Sequence, residues 1–234
     1  MSDYRTIYRD HALEYDALVR AEDKDGNLLK HLFRAGPLRG AHVVEVGAGT
    51  GRITRQLLGA GVAHVTATEL EPAMLEVARQ ALASAGQRVR FEVADARALP
   101  LPDQCADLSV AGWVFGHFRS WMQDSWQNEV GKAVNEMLRV TRPGGRVMIV
   151  ETLGTGSTEP SPPSPGLSEY YALLEDTYGF ERSAFRTDYA FDSIEQAAQV
   201  TGAFFGPDFA ARVRVEGWST VPECTGLWVR AVGA

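Results

Sequence analysis

The sequence is poor in the residues that build metal sites, disulfide frameworks and basic surfaces. Its 234 residues include two cysteines, Cys105 and Cys224, which form neither a CxxC pair nor a zinc or disulfide spacing. Its only lysines are Lys24, Lys30 and Lys132, and its formal net charge is −7. No overall positive field attracts a phosphate backbone or an anionic membrane, so we expect no nucleic acid partner. Because neither the cysteines nor the carboxylates show the spacing of metal ligands, we also expect no bound metal.

Long apolar runs are also missing. Residues 1–16 mix charged and aromatic side chains, and no later stretch reaches the roughly 20 residues that a membrane-spanning helix needs. With 45% hydrophobic and 23% charged residues, the composition is that of a globular protein. We expect one continuous domain without a membrane partner, located in the cytoplasm as a monomer or homodimer.

Short runs rich in valine and isoleucine alternate with segments of helical periodicity. This alternation is typical of βαβ units and of a mostly parallel sheet. The helical segments carry apolar stripes such as Ile53, Leu57 and Leu58, so each can cover a sheet face. The pattern predicts an α/β protein with seven strands and helices on both faces. The predicted strands are His42–Val46, His64–Glu69, Val89–Ala94, Asp107–Ala111, Arg146–Glu151, Ala184–Ala190 and Thr225–Ala231.

The most informative segment is the glycine-rich stretch that follows the first predicted strand. Gly47, Gly49 and Gly51 stand just before a helical pattern, where a backbone without Cβ atoms can turn tightly against a ligand. Their spacing is not the GxGxxG of dinucleotide-binding folds, and Glu45 precedes the first glycine by two positions. A carboxylate here disfavours pyrophosphate and suits a cationic ligand such as S-adenosylmethionine, which carries a sulfonium and an ammonium group.

With this E-x-G-x-G-x-G motif the sequence resembles class I methyltransferases, and the resemblance extends across nearly the whole chain. It implies a Rossmann-like fold and S-adenosylmethionine as cofactor. Further landmarks follow in the family's order: an acid ending the second strand, an Asp-Ala pair after the third, a Gly-Trp pair after the fourth, and Arg142-Pro143-Gly144-Gly145, expected to form a turn before the fifth strand.

The resemblance assigns roles to these positions. It implies that Glu69 holds both ribose hydroxyls, while Leu70 and Met74 lie near the adenine. Asp95 and the amide of Ala96 would bind the adenine edge, and Gly112-Trp113 would pass beneath the methionine moiety. The full predicted cofactor set is Tyr15, Glu45, Gly47, Ala48, Gly49, Gly51, Glu69, Leu70, Met74, Asp95, Ala96, Gly112 and Trp113.

Methyl transfer from a sulfonium depends mainly on alignment, so catalytic residues can leave little trace in a sequence. A base is required only if the acceptor still carries a proton when it binds. His117, just beyond the fourth strand, is the first candidate, and Glu151 is the second. An aromatic cluster favours a planar acceptor; its members are Trp113, Phe115, Phe118, Trp121, Trp126, Tyr170, Tyr171 and Tyr189.

The sequence therefore divides the chain into a helical lid (1–40), a cofactor-binding core (41–153), and a segment with a lid loop, substrate-side helices and the last two strands (154–234).

We expect methylation of O, N or C on a small, aromatic or heteroaromatic metabolite, in secondary metabolism. The Pro-Pro-aromatic stretch of DNA amino-methyltransferases is absent after the fourth strand. A binding subunit without turnover, a methyltransferase acting on a macromolecule, and a nicotinamide oxidoreductase remain as alternatives.

Overall fold

The computed structural model describes residues 4–233, so residues 1–3 of the predicted lid and residue 234 lie outside the described residues. Within this range, seven strands form one sheet in the order β3-β2-β1-β4-β5-β9-β6, and two more form a separate pair, β7-β8. The strands are β1 (His42–Val46), β2 (His64–Glu69), β3 (Val89–Val93), β4 (Ala106–Gly112), β5 (Thr141–Thr155), β6 (Glu181–Arg186), β7 (Tyr189–Ala190), β8 (Thr220–Val221) and β9 (Glu223–Ala231).

The main sheet is mostly parallel. Strands β1 to β5 pair in parallel, and β9 runs antiparallel to both of its neighbours, β5 and β6. The carboxyl ends of the parallel strands therefore share one edge, where the motifs after β1, β2, β3 and β4 meet. The predicted α/β fold, with seven strands in one mostly parallel sheet, is confirmed.

Helices cover both faces of this sheet. The α-helices of the described residues are α1 (Tyr4–Asp10), α2 (Ala12–Ala21), α3 (Asn27–Ala35), α4 (Arg52–Gly59), α5 (Pro72–Ala81), α6 (Gly116–Trp121), α7 (Trp126–Val140), α8 (Pro165–Ala172), α9 (Ile194–Phe205) and α10 (Pro207–Glu216). On one face, α3 and α4 bury their leucines against β1, β2 and β4. On the other, α7 and α8 bury Val130, Val134 and Tyr170 against the central strands.

Local chemistry sets several helix starts. Pro72 occupies the first turn of α5, where its missing N–H costs no hydrogen bond. The hydroxyl of Ser164 accepts from the Leu167 amide at the start of α8, and Ser193 accepts from the Gln196 amide at the start of α9.

The predicted strand Ala184–Ala190 is wrong in its boundaries. The structure places Glu181–Arg186 at the edge of the main sheet and Tyr189–Ala190 in the separate two-stranded pair. The break lies at Thr187, whose hydroxyl bonds to Thr225, and at Asp188, whose carboxylate accepts from the Glu223 amide. These side-chain bonds accompany the change in backbone direction and lie between residues that are distant in the sequence, so the residue types of the segment alone do not reveal them.

The predicted turn at residues 142–145 lies inside β5 rather than before it. Thr141 pairs with Ala106 and Arg146 pairs with Leu108, so the four residues bulge out between two paired positions. Gly144 has a φ of +78° and supplies the left-handed conformation that the bulge requires.

The three N-terminal helices have different surroundings. Tyr8 and Arg9 of α1 and Tyr15 of α2 line a cavity at the carboxyl edge of the sheet. In contrast, α3 buries Leu28 and Leu32 in the core under the sheet. Behind α2, its Leu18 packs in a small apolar cluster with α9 and α10, so these two late helices support the N-terminal cover from outside.

Candidate functional site

The three loop glycines all adopt the left-handed backbone region, but for different reasons. A Cβ atom added to Gly47 would lie 2.3 Å from Val114 Cγ2, and one added to Gly51 would lie 2.9 Å from Leu82 Cδ1. Gly49 has more room, since its nearest neighbour would be Met74 Cε at 3.5 Å. Gly47 and Gly51 thus permit close packing of the loop, whereas Gly49 leaves its backbone facing the cavity.

The main cavity has a volume of about 460 Å³ and lies at the carboxyl edge of the sheet. It falls within the range of roughly 300–1,000 Å³ that small-molecule sites occupy. The structure brings most of the predicted residues together in its wall; they are Tyr15, Gly47, Gly49, Glu69, Leu70, Met74, Asp95, Ala96, Gly112, Trp113 and His117.

Three predicted cofactor residues do not line this cavity. Glu45 and Ala48 border a smaller cavity of about 20 Å³ under the glycine loop, together with Thr50 and Arg52. Gly51 borders neither cavity and faces Leu82 and Ala78 instead.

Glu45 is buried beneath the loop. Its carboxyl accepts a hydrogen bond of 2.6 Å from the Thr54 hydroxyl, and its backbone carbonyl accepts one from the Thr68 hydroxyl. Burial raises the pKa of Glu45 to about 8. At neutral pH this carboxyl is therefore mostly protonated, and it offers a polar partner rather than the full negative charge that the sequence suggested.

Glu69 ends β2 and is held by three backbone amides. Its Oε2 accepts from Gly49 N at 3.0 Å, and its Oε1 accepts from Leu70 N and Glu71 N. Burial raises its pKa, although these amides partly offset the effect. The bond to Gly49 ties the end of β2 to the glycine loop, so the acid and the loop form one wall of the cavity.

Asp95, after β3, is oriented by Arg97. The Arg97 guanidinium donates to both carboxylate oxygens, and its other nitrogen donates to Glu129 of α7 at 2.6 Å. This pairing lowers the pKa of Asp95, which keeps it ionised. Arg97 was not predicted from the sequence, yet it lines the cavity and fixes the carboxylate that faces it.

His117 also lines the cavity and lies in the first turn of α6. Its Nε2 is 2.9 Å from the Tyr8 hydroxyl of α1, and its ring stacks on Trp121 with centroids 4.8 Å apart. Burial lowers the pKa of His117 to about 4, so the imidazole is neutral near pH 7. From its N-terminal position Tyr8, like Tyr15, could close over the cofactor, but no motif in the sequence singles it out, and its contact with His117 is seen only in the structure.

The aromatic cluster divides into two groups in the structure. Trp113, Phe118 and Trp121 line the cavity. Five others are buried core residues and do not reach it; they are Phe115, Trp126, Tyr170, Tyr171 and Tyr189. Position in the sequence does not separate the two groups completely, because Phe115 and Trp126 follow β4 like the three cavity residues but are buried in the core.

An unpredicted buried ion pair lies behind the glycine loop. Arg52, the first residue of α4, pairs with Glu22 at the end of α2, and its guanidinium lies 3.5 Å from the centroid of the Trp113 ring. Trp113 has a φ of +57°, unusual for a bulky residue. Its amide donates to the Val150 carbonyl at 2.7 Å, which helps to hold this conformation.

These residues fit the cofactor that the sequence implies. Thr50 Oγ1 is buried beside the glycine loop and has no hydrogen-bond partner within residues 4–233, so it is available to a polar ligand group. Leu70 is 61% exposed at the cavity wall, where an apolar side chain gains from covering by a ring such as adenine. Glu69 and Asp95 supply acceptors for hydroxyl and amino groups.

Comparisons with known proteins agree with this geometry. Residues 44–149 match the profile of a methyltransferase domain family. Over these residues the chain is similar to the class I S-adenosylmethionine-dependent methyltransferases. The predicted resemblance to this family, with S-adenosylmethionine as its cofactor, is confirmed. The matched region extends from the middle of β1 to the middle of β5 and includes the glycine loop, Glu69, Asp95 and His117.

Individual relatives cover similar regions. An O-methyltransferase of Penicillium expansum is 35% identical over 145 residues, which are 61% of this chain and 48% of that protein. A demethylmenaquinone methyltransferase of Clavibacter sepedonicus is 35% identical over 158 residues, 63% of this chain and 58% of that protein. The chain thus spans about half the length of these curated relatives.

A solved structure shows the same fold. Phosphoethanolamine N-methyltransferase 2 of Haemonchus contortus, in complex with S-adenosyl-L-methionine, superposes with a TM-score of 0.54 at 17% identity. The match covers 88% of this chain and 52% of that protein.

Proposed function

We propose that this protein is an S-adenosylmethionine-dependent methyltransferase that methylates O, N or C of a small, aromatic or heteroaromatic metabolite. One observation carries the proposal: a single cavity of about 460 Å³ joins the glycine loop, the two acids Glu69 and Asp95, and His117. The family of the chain supports the same activity.

The cofactor end of the cavity is formed by the loop and the ends of β2 and β3. Glu69 would accept from the ribose hydroxyls, and Asp95, held by Arg97, would accept from the adenine amino group. Thr50 and Arg52 would face the amino-acid portion from the smaller cavity. When bound there, S-adenosylmethionine supplies an activated methyl group on a sulfonium.

The acceptor end is formed by α1 and α6. His117 and Tyr8 hold each other at 2.9 Å, and Trp121 stacks on the His117 ring. We propose His117 as the catalytic residue: its neutral imidazole can accept a proton or a hydrogen bond from the acceptor. A histidine whose pKa is about 4 is a weak base, which favours an acceptor that needs little help to lose its proton.

Aromatic side chains favour a planar acceptor. Phe118, Trp121 and Tyr15 line the cavity together with Trp113, and stacking against such rings binds flat molecules. The described residues contain no helix long and apolar enough to cross a membrane. A cytoplasmic location and a role in secondary metabolism stay predictions from the sequence.

Calorimetry is the first test of this proposal. S-adenosylmethionine should bind, and NAD(H) should not; binding of NAD(H) alone would favour the oxidoreductase alternative. Isotope transfer from methyl-labelled S-adenosylmethionine into a small-molecule extract of the host then tests turnover. Binding without transfer would favour a binding subunit, and label in protein or nucleic acid would favour a macromolecular acceptor.

A metabolite comparison would name the acceptor. The host is grown with and without the gene and fed methyl-labelled methionine. We expect one labelled metabolite to disappear in the strain without the gene and its unmethylated precursor to accumulate.

A further inference from the structure

Glu151 is a fully buried acid that the proposed chemistry does not use. It lies in β5, opposite Gly226 of β9, and its side chain is 3% exposed. Although the sequence makes it the second candidate base, Glu151 does not line the main cavity. A buried carboxyl is costly to the fold unless hydrogen bonds compensate it. The groups that donate hydrogen bonds to the Glu151 carboxyl therefore indicate its role.

Those partners lie at the beginning of α6. Glu151 Oε1 accepts from Gly116 N at 3.1 Å and from the Tyr170 hydroxyl at 3.2 Å, and the Phe115 amide also donates to the carboxyl. The approach is close: a Cβ atom added to Gly116 would lie 3.3 Å from Glu151 Oε2. The acid thus holds two successive amides immediately before His117.

The held segment forms the acceptor end of the cavity. α6 starts at Gly116, and three of its six residues, His117, Phe118 and Trp121, line the cavity. Six residues make a helix too short to be stable alone, so its position depends on what anchors it. Glu151 anchors it from the core side, whereas Tyr8 meets His117 from the lid side.

We propose that Glu151 is a positioning residue of the methyl-transfer site: its carboxylate holds the first turn of α6 and thereby places His117 against the acceptor. This inference rests on the proposed function only in assuming that His117 faces the reacting atoms. Glu151 itself does not line the cavity.

The surroundings of Glu151 make this anchor sensitive to pH. Burial raises its pKa to about 7, and the amides of Phe115 and Gly116 and the hydroxyl of Tyr170 lower it in part. Tyr171, also in α8, donates its hydroxyl to the Thr152 carbonyl, and its own pKa is raised. A carboxylate accepts from both amides, whereas a protonated carboxyl loses charge and acceptor capacity. The anchor therefore strengthens as the pH rises through 7.

The first experiment needs no acceptor. The backbone amide of Gly116 and the ring of His117 are followed by NMR from pH 5 to 9 in the wild type, in Glu151→Gln and in Glu223→Gln. Glu223 is the matched control, because it is another buried carboxyl with a raised pKa and its side chain bonds to Thr152 rather than to α6. The His117 signal is assigned from its loss in His117→Asn.

We expect both wild-type signals to shift with a midpoint near pH 7, far from the pKa of His117 itself. The shift should persist in Glu223→Gln and vanish in Glu151→Gln. A Glu151→Gln variant in which the Gly116 amide and the His117 ring keep their wild-type signals across this pH range would overturn the proposal, whatever the midpoint in the wild type.

The second experiment measures label transfer from methyl-labelled S-adenosylmethionine into the host extract at saturating cofactor. The wild-type rate should rise through pH 7, whereas Glu151→Gln should be pH-independent there and about 10- to 100-fold slower at pH 8, as expected for misplaced catalytic groups. The dissociation constant of S-adenosylmethionine should change less than about threefold, since the cofactor end is untouched. Equal losses in cofactor binding and rate would indicate a merely structural role and contradict the proposal.

The two experiments separate the possible failures. If the wild type transfers no label, the proposed function fails, and the NMR comparison alone decides whether Glu151 places His117. If the wild type transfers label and Glu151→Gln transfers it at the wild-type rate, the inference fails and the proposed function stands.

Discussion

The hydroxyl of Tyr8 lies 2.9 Å from Nε2 of His117, although the two residues are 109 positions apart in the sequence. Tyr8 belongs to α1, and its ring also meets Tyr15 of α2 edge-on with centroids 5.2 Å apart. This contact joins the N-terminal helices to the segment after β4, and all three residues line the cavity.

Removing this hydroxyl should affect transfer more than cofactor binding. In Tyr8→Phe we expect the rate of label transfer to fall about fivefold, the size of one hydrogen bond, with cofactor affinity changed less than about threefold. Tyr178→Phe is the control, because its hydroxyl faces Gly131 of α7 and the residue does not line the cavity. Equal rate losses in both variants would contradict a specific role for Tyr8.

Loss of the Glu69 carboxylate should weaken cofactor binding. The side chain organises Gly49, Leu70 and Glu71 and faces the cavity, so we expect Glu69→Ala to raise the dissociation constant of S-adenosylmethionine about 100-fold. Glu76→Ala, which removes an exposed carboxylate from α5, should leave it unchanged. Calorimetry at pH 7.5 measures both, and unchanged affinity in Glu69→Ala would argue against ribose binding there.

Substitutions at two glycines of the loop should separate an effect on cofactor binding from an effect on the stability of the fold. Gly49→Ala adds a methyl group with no contact closer than 3.5 Å, so its cost to folding is mainly the left-handed backbone, roughly 1 kcal/mol, while the methyl obstructs the cavity. Gly51→Ala meets Leu82 at 2.9 Å outside the cavity and should cost more stability.

We therefore expect Gly49→Ala to lose cofactor binding with a small loss of stability, and Gly51→Ala to show the larger loss of stability. Urea unfolding measures the stability of the two variants, and calorimetry measures their cofactor binding. Loss of cofactor binding in Gly51→Ala but not in Gly49→Ala would show that Gly51, not Gly49, contacts the cofactor.

The buried pair of Glu22 and Arg52 should be strongly coupled. Arg52→Met leaves the Glu22 carboxylate buried without its cation and should cost about 3–5 kcal/mol of unfolding free energy. Adding Glu22→Gln should recover most of this loss, because an amide needs no counter-charge and can still accept from the Thr187 hydroxyl. A double-mutant cycle in urea measures the coupling, and simple additivity of the two losses would contradict it.

Stability should fall as the pH rises from about 5 to 9. Glu45 and Glu223 have pKa values raised to about 8 and Glu151 to about 7, all by burial, against 4.5 in the ordinary case. The folded state therefore retains protons that the unfolded state releases, so the contribution is complete below pH 4.5 and is lost as the pH passes 7 to 8.

Unfolding free energies at pH 5.5 and 8.5 test this directly. Each such group contributes a slope of at most about 1.4 kcal/mol per pH unit, so Glu45→Gln should flatten the dependence by up to that amount. A stability that rises over this range would contradict the buried, protonated state of these acids.

Periodicity in the sequence predicted much of the fold. The alternation of apolar runs and amphipathic segments placed the strands from His42 to Ala111 within one or two residues of their observed bounds. It failed at Ala184–Ala190, because Thr187 and Asp188 form side-chain bonds that no periodicity reveals.

The amino-acid sequence by itself determined the resemblance to class I methyltransferases, the cofactor that it implies and the cavity wall built from Gly47, Gly49, Glu69 and Asp95, because these features follow strand ends that parallel pairing brings to one edge. Only the tertiary structure decided which residues complete the site. Tyr8 meets His117, Arg52 meets Glu22 and Glu151 holds Gly116 across 109, 30 and 35 positions. Such pairs depend on how helices fold over the sheet, which local spacing does not encode.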